Sequence, residues 1–295
     1  MNSVTTDPQT STVTRRFKSS IRPRRAAKMW TVIGLLFSAG FAILPVLWMF
    51  VSSLKPNTQI LLNPPSVFTA ESSFSAYGRL FRDPSQLQAF GDSYLIGFAV
   101  TVLTIIVAVL AGYALSRGNF PGRQLVATVV VGVQSVPPIS LVIPYLGLIT
   151  TFGLYDSYVG LILTHLVLTF PYAIVMMTAY FDTLPRTLDE AARVDGASSI
   201  RILWRILLPI SLPGVVSVGV YTFMLSWNEF LFALMLTKQH VRTVPIRISL
   251  FIGQNAVDWQ AMFAMSIVGS IPVLVFFLVF QKYFLSGLTA GSVKG

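Results

Sequence analysis

Six stretches of this chain are long and apolar enough to cross a lipid bilayer. A hydrocarbon core about 30 Å thick requires about 20 apolar residues of helix. Trp30–Val51, Tyr94–Leu115, Gln124–Ile149, Ser157–Ala179, Leu212–Leu236 and Ala261–Gln281 all meet that length. Backbone in lipid must satisfy its own hydrogen bonds, and a helix does so within one segment. Only 11% of the residues are charged and the mean hydropathy is +0.71, whereas a soluble domain carries about 25% charge. The sequence therefore predicts an all-α integral membrane protein with six transmembrane helices.

Three of the stretches are interrupted. Pro137, Pro138 and Pro144 break the third, His165 and Pro171 the fourth, and Asn228 and Glu229 the fifth. Proline is tolerated in a span when neighbouring helices or a cavity satisfy the freed backbone, so Pro137, Pro138 and Pro144 predict kinks.

An even number of spans puts both termini on one side. That side holds fifteen of the 21 lysines and arginines: the N-terminal tail, Arg117 and Arg123, Arg186, Arg193, Arg201 and Arg205, then Lys282 and Lys294. Lys55, Arg79, Arg82, Lys238, Arg242 and Arg247 fall opposite. Positive loops stay in the cytoplasm, so both termini are expected there, in a multi-pass protein of the cytoplasmic membrane. The net charge of +10 then reflects topology and contact with anionic lipid, without a nucleic-acid partner.

Residues 1–29 read as a basic cytoplasmic tail, 30–281 as the six-helix domain and 282–295 as a second cytoplasmic tail. The first apolar run is too long for the core of a cleavable signal, and no small-residue cleavage site follows it. Cysteine is absent, which excludes disulfides and thiolate metal sites. On the opposite side, Asn63-Pro64-Pro65-Ser66 predicts a turn, and the Phe74/Tyr77/Leu80/Phe81 spacing a short amphipathic helix at the surface.

The loop over residues 181–211 carries the most information. Thr187-Leu188-Asp189-Glu190 has the form of a capping box and predicts a helix from Leu188. Asp189 and Glu190 suit its positive N-terminus. Asp195-Gly196 ends it, with Gly196 able to adopt a left-handed cap. A second helix starts near Ser198 or Ser199. It carries Ile200, Leu203, Trp204 and Leu207 on one face, Arg201 and Arg205 on the other, and closes at Pro209 and Pro213. Such a helix–turn–helix could lie on lipid or receive another protein. Ala191 and Ala192 allow close approach, and Glu190 offers one fixed acceptor for a cationic side chain.

Chemistry alone leaves both uses open, and a resemblance decides for the second. Glu190-Ala191-Ala192, three residues, Gly196, nine residues, then Ile206-Leu207-Leu208-Pro209 resembles the E-A-A-x3-G-x9-I-x-L-P motif of ABC-importer permeases, complete in residue type and spacing. Leu54-Lys55-Pro56, Asn119-Phe120-Pro121-Gly122, Ser226-Trp227-Asn228-Glu229-Phe230 and the C-terminal Gly287–Gly295 stretch are similar to the second permease of maltose-type carbohydrate systems. The resemblance covers most of the chain from Trp30 onward; the basic N-terminal tail departs from it.

The resemblance implies a type I importer permease fold with a cytoplasmic coupling helix–turn–helix. Glu190, Ala191, Ala192, Asp195, Gly196, Ile206 and Pro209 would meet a separate ATPase subunit. Lys294 and Gly295 would reach the interface between two such subunits. The implied partners are a second permease, two ATPase copies that bind ATP and magnesium, and an extracytoplasmic solute-binding protein. The implied cargo is a sugar or oligosaccharide imported by alternating access, with a polyol or glycerol-3-phosphate as the alternative. No arginine or lysine lies mid-span to receive a phosphate, which favours a neutral solute.

Ionisable residues inside a span are costly facing lipid and so become functional candidates. His165 and Glu229 qualify, at similar depths of about 10–12 Å at 1.5 Å per residue. With Trp227 and Asn228 they offer the mixture of amide, carboxylate and aromatic face that suits a sugar. Two other uses stay open: His165 and Glu229 could hold helices together, or serve an ion-coupled carrier. The chain has no phosphate-binding Gly-x4-Gly-Lys-Ser/Thr loop, no Gly-x-Ser-x-Gly elbow and no His-Glu-x-x-His pair, and no cofactor or metal is expected on it. It reads as a transport subunit and not an enzyme.

Overall fold

The computed structural model describes residues 28–64, 66, 67, 69–253 and 256–282, with backbone alone at 25–27 and 283–290. The basic residues Arg15 to Arg24, and the candidate tail residues Lys294 and Gly295, lie outside the described residues. The chain divides into two units after Leu47. The first contributes most of α1 (Arg25–Ser53), an apolar helix long enough to span a bilayer.

The second unit contains α2 (Asn57–Ile60), α3 (Ser75–Arg82), α4 (Pro84–Arg117), α5 (Arg123–Val133), α6 (Pro138–Thr151), α7 (Tyr158–Asp182) and α8 (Thr187–Val194). Next come α9 (Ser199–Ile202), a π-helical turn at Leu203–Leu207 and α10 (Leu208–Ile210), which together form one helical rod. The unit ends with α11 (Leu212–Trp227), α12 (Leu231–Leu236), α13 (Val244–Ser249) and α14 (Trp259–Ala290).

Two of the long helices, α4 and α7, start where the sequence supplies a cap. Asp83 Oδ1 accepts the Ser85 amide at 2.9 Å and Pro84 occupies the first turn of α4. Ser157 Oγ accepts the Gly160 amide at 3.1 Å ahead of α7. Helices in lipid gain little from apolar burial against each other, so close packing and buried hydroxyls hold them. α4 lies along α7. Gly112 permits this, because a Cβ there would stand 2.8 Å from Met177 Cβ. One buried hydroxyl pair, Thr104 Oγ1 to Thr169 Oγ1 at 2.9 Å, joins the same two helices. α11 packs on α4, α7 and α14, with Phe223 stacked on Phe276 at 4.3 Å between ring centroids.

Four of the described helices are long and apolar enough to cross a membrane alone, or six spans if each of two bent pairs counts as one. The third span corrects the sequence expectation. A kinked helix over Gln124–Ile149 is replaced by α5 and α6 meeting at 100°, because Pro137 and Pro138 remove two successive amide donors. The fifth span is also discontinuous. α11 stops at Trp227 and the chain resumes as α12 at Leu231. A 79° bend at Ser211 separates α11 from the rod before it.

The surface helix α3 forms as expected, but its inner face differs. Ala76 and Leu80 are buried while Phe74 and Phe81 are exposed. Nearby, Lys55 is buried, donates to the Ser66 carbonyl and lies 4.7 Å from the centre of the Trp48 ring.

Candidate functional site

Two regions gather the candidate residues: an elbow at the Asp182 end of α7, and a cavity part-way along it.

The elbow is built from the backbone outward. α8 begins one residue earlier than expected, and the predicted capping box does not form. Arg186 stands at the N-cap without a side-chain bond. The amides of Asp189 and Glu190 instead reach the Arg186 carbonyl at 3.0 and 3.1 Å, because the turn at Pro185 already supplies acceptors. The C-terminus matches expectation closely. Asp195 caps the helix, and Gly196 has φ +79°. The Gly196 amide bonds Arg193 O at 3.0 Å and the Ala197 amide bonds Ala192 O at 2.9 Å, the paired closure that needs a left-handed residue.

Ser198 then caps the second helix, its Oγ accepting the Arg201 amide at 3.4 Å. Its inner face is Ile202, Leu203 and Leu207, which are fully buried against Leu115, Met177 and Phe181 of α4 and α7. Ile200 and Trp204, expected on that face, are exposed. The π-helical turn at Leu203–Leu207 shifts the register from which the apolar face was counted.

Neighbouring acids on α8 part company. Glu190 is exposed, beside a concavity of about 100 Å³ shared with Arg117, Arg186, Asp189 and Arg193. Asp189 is buried, 3.3 Å from Arg117 Nε. Ala191 faces outward and Ala192 packs inward, Ile206 is half-buried and Pro209 is exposed.

The cavity measures about 490 Å³ and is lined by residues of α6, α7, α11 and the break before α12, including His165, Thr169, Tyr172, Tyr221, Asn228 and Glu229. It unites three of the four residues proposed for the solute path. His165 is fully buried. Its Nδ1 lies 2.8 Å from Ser226 Oγ and its Nε2 3.3 Å from Glu229 Oε2. That second contact is an ion-pair distance but lies off the hydrogen-bond line.

Glu229 is committed elsewhere as well. Its two oxygens accept the amides of Phe232 and Ala233 at 2.8 and 3.0 Å, capping α12 across the break. Glu229 and His165 therefore build the cavity wall. Asn228 donates its side-chain amide to Met224 O at 2.8 Å and lines the cavity.

Trp227 is a correction to the grouping. It is buried away from the cavity, donates to Gly269 O at 3.1 Å, and packs on Tyr94 and Phe223 at 5.0 and 5.6 Å. The aromatic faces that do line the cavity are Tyr172 and Tyr221, edge to face at 6.1 Å. Both were missed because a tyrosine within a span carries no charge to mark it. The signal available was a phenol on each of two helices already bearing a polar candidate.

At the far end of α7, outside the spans, Asp156 has φ +54° and gathers four amides, those of Lys238, Gln239, His240 and Val241, at 2.8 to 3.3 Å. Partial burial pushes its carboxyl up, but the four amides outweigh it and hold the group at about 2. Asp83 is likewise held below the ordinary carboxylate range, first by the Ser85 hydroxyl and with help from the Ser85 amide, Gln86 and Arg247.

Comparison with known proteins places this geometry. Residues 104–290 match the model of the family described as binding-protein-dependent transport system inner membrane component. The trehalose/maltose transport system permease protein of Thermococcus litoralis is 37% identical over 268 residues, covering 90% of this chain and 96% of the relative. The trehalose transport system permease protein of Mycobacterium tuberculosis is 34% identical, covering 92% and 99%. A solved bacterial ABC transporter involved in import of the acidic polysaccharide alginate shares the fold with TM-score 0.69 at 20% identity, covering 88% of this chain and 98% of that one.

Proposed function

This chain belongs to the family of binding-protein-dependent transport system inner membrane components, and on that premise we propose that it carries a sugar or short oligosaccharide across the cytoplasmic membrane. It has the type I importer permease fold and is the permease component of an ABC importer. ATP and magnesium bind on the separate ATPase subunits. A second permease completes the path, an extracytoplasmic binding protein delivers the cargo, and both termini face the cytoplasm. Lys294 and Gly295 are assigned to the ATPase interface on the family resemblance alone.

The observation that carries the coupling role is the elbow over residues 187–209. Its bend at Gly196 is fixed, its second helix is embedded between α4 and α7, and Glu190 stands exposed for a basic residue of the ATPase. Closure of two ATPase subunits moves this elbow and tips the spans between inward- and outward-open states. Nucleotide drives that shift only by binding one state better than the other.

The cavity supplies the cargo reading. Tyr172 and Tyr221 offer faces for the C–H side of a sugar ring, and Asn228 offers an amide for hydroxyls. Support also comes from relatives named for trehalose/maltose and arabinooligosaccharide transport. His165 and Glu229 shape the wall, so their substitution acts on uptake by altering that shape.

The test is uptake of labelled sugars into vesicles holding the complete complex and its binding protein. Uptake should require internal ATP and no ion gradient, and Glu190→Lys should remove both uptake and binding-protein-stimulated ATPase. Uptake that follows a proton or sodium gradient and ignores ATP would overturn the reading.

A further inference from the structure

We propose that Asp189, through its buried ion pair with Arg117, passes the elbow's movement into the transmembrane helices, while its neighbour Glu190 serves the partner. The inference rests on the coupling role given to the elbow above, and adds a positioning pair to it.

Adjacent residues on a helix point about 100° apart. On α8 this sends Glu190 outward and Asp189 inward, with only 7% of the Asp189 side chain exposed and 5% of Arg117. Asp189 thus faces Arg117 and Glu190 the outer surface.

Arg117 ends α4, and its Nη2 also donates to Leu184 O at 2.7 Å, on the strand of chain between α7 and α8. The same end of α4 is held three times more, once by Arg186 Nη2, which donates to Ser116 O at 3.4 Å. Arg123 donates to Leu115 O at 2.6 Å, and Ser116 Oγ donates to Asp182 at 2.6 Å. α4, α7 and α8 therefore meet at one point.

A buried ion pair is a poor device for stability, because desolvation offsets its attraction. This pair is also incompletely bonded. Neither Asp189 oxygen, nor Arg117 Nε, has an aligned hydrogen-bond partner among the described residues. Apolar residues of similar volume often replace such a pair without loss of stability, and here the Arg117–Leu184 bond is the contact given up. What the charges add is direction: a link between the element assigned to the ATPase and α4, which packs along the cavity-lining helix α7. From Arg117 the route runs along α4 to Thr104, whose hydroxyl bonds Thr169 in the cavity wall at 2.9 Å.

The test uses the reconstituted complex with its binding protein, reading sugar uptake and stimulated ATPase in the same vesicles. The double variant Arg117→Met/Asp189→Leu should assemble and melt near the wild-type temperature, the relief of desolvation offsetting the lost Leu184 bond. It should keep stimulated ATPase within about twofold, while sugar moved per ATP falls about tenfold. Unchanged sugar per ATP in that variant overturns the proposal.

Should the double variant fail to assemble, Asp189→Asn decides, since it keeps the shape and removes the charge that faces Arg117. A drop in sugar per ATP supports the link, and an unaltered ratio overturns it. Glu190→Lys separates the two levels of the argument. If it leaves uptake and ATPase normal, the coupling reading itself fails, whatever the ion pair does.

Discussion

The two ends of α7 are each organised by one aspartate, and in opposite ways. At the Tyr158 end, Asp156 is part-exposed and gathers four backbone amides of the segment after α12. At the Asp182 end, Asp189 is buried and faces a single guanidinium. The first arrangement is saturated: each carboxylate oxygen has two amide donors in fixed backbone, so it staples a loop in place. The second is under-bonded and joins side chains on two helices, which leaves it able to tighten or loosen as they move. The difference teaches where this fold holds still and where it transmits motion.

Breaking the transmitting end should cost most. Gly196 has φ +79°, where a β-branched residue is strained by about 1–3 kcal/mol. Gly196→Val should therefore abolish ATP-driven uptake while the spans still insert, as checked by membrane-fraction yield alongside vesicle transport. Normal uptake would show that the bend between α8 and α9 is free to change, and would remove the contrast.

The cavity between the two ends should respond to a smaller degree, and differently. Tyr172→Ala or Tyr221→Ala should raise the apparent KM for the sugar about tenfold with modest change in maximal rate, as loss of ground-state binding does. Glu229→Ala should instead leave KM within about twofold and lower thermal stability, since losing a cap costs about 0.5–2 kcal/mol. Reversal of that pattern would make Glu229 the solute contact and the tyrosines packing.

Much of this was legible in the residues. Apolar length located the spans, and Gly196 followed from the need for a left-handed cap. What escaped had physical causes. The 100° break between α5 and α6 needs neighbours to satisfy its backbone, and proline spacing alone cannot report those. The capping box at Thr187 lost to acceptors already in place at Pro185. Trp204 falls within the π-helical turn, where the added residue resets the periodicity, and Ile200 lies ahead of it in α9, where Ile202 is the buried residue. Trp227 was grouped with Asn228 and Glu229 by adjacency, but the end of α11 at that point turns its ring toward α14. The Arg117–Asp189 pair lies 72 positions apart and no local pattern could join it.

The stapled end yields the smallest effect and the cleanest sign. Asp156 is held at about 2, against an ordinary carboxylate value of 3.8. A carboxyl depressed on folding contributes stability that is complete above the unfolded value and is lost as pH falls through the folded one. Its contribution should therefore be flat from neutral pH down to about 4 and disappear between about 4 and 2. Asp156→Asn keeps one acceptor oxygen of two and loses the charge. It should lower the melting temperature slightly at pH 7 and leave sugar moved per ATP unchanged. The gap between variant and parent should close as the medium is acidified below about 4. A gap that persists at pH 2, or an altered transport ratio at pH 7, would mean that Asp156 takes part in the moving machinery and that the two ends of α7 are not so different.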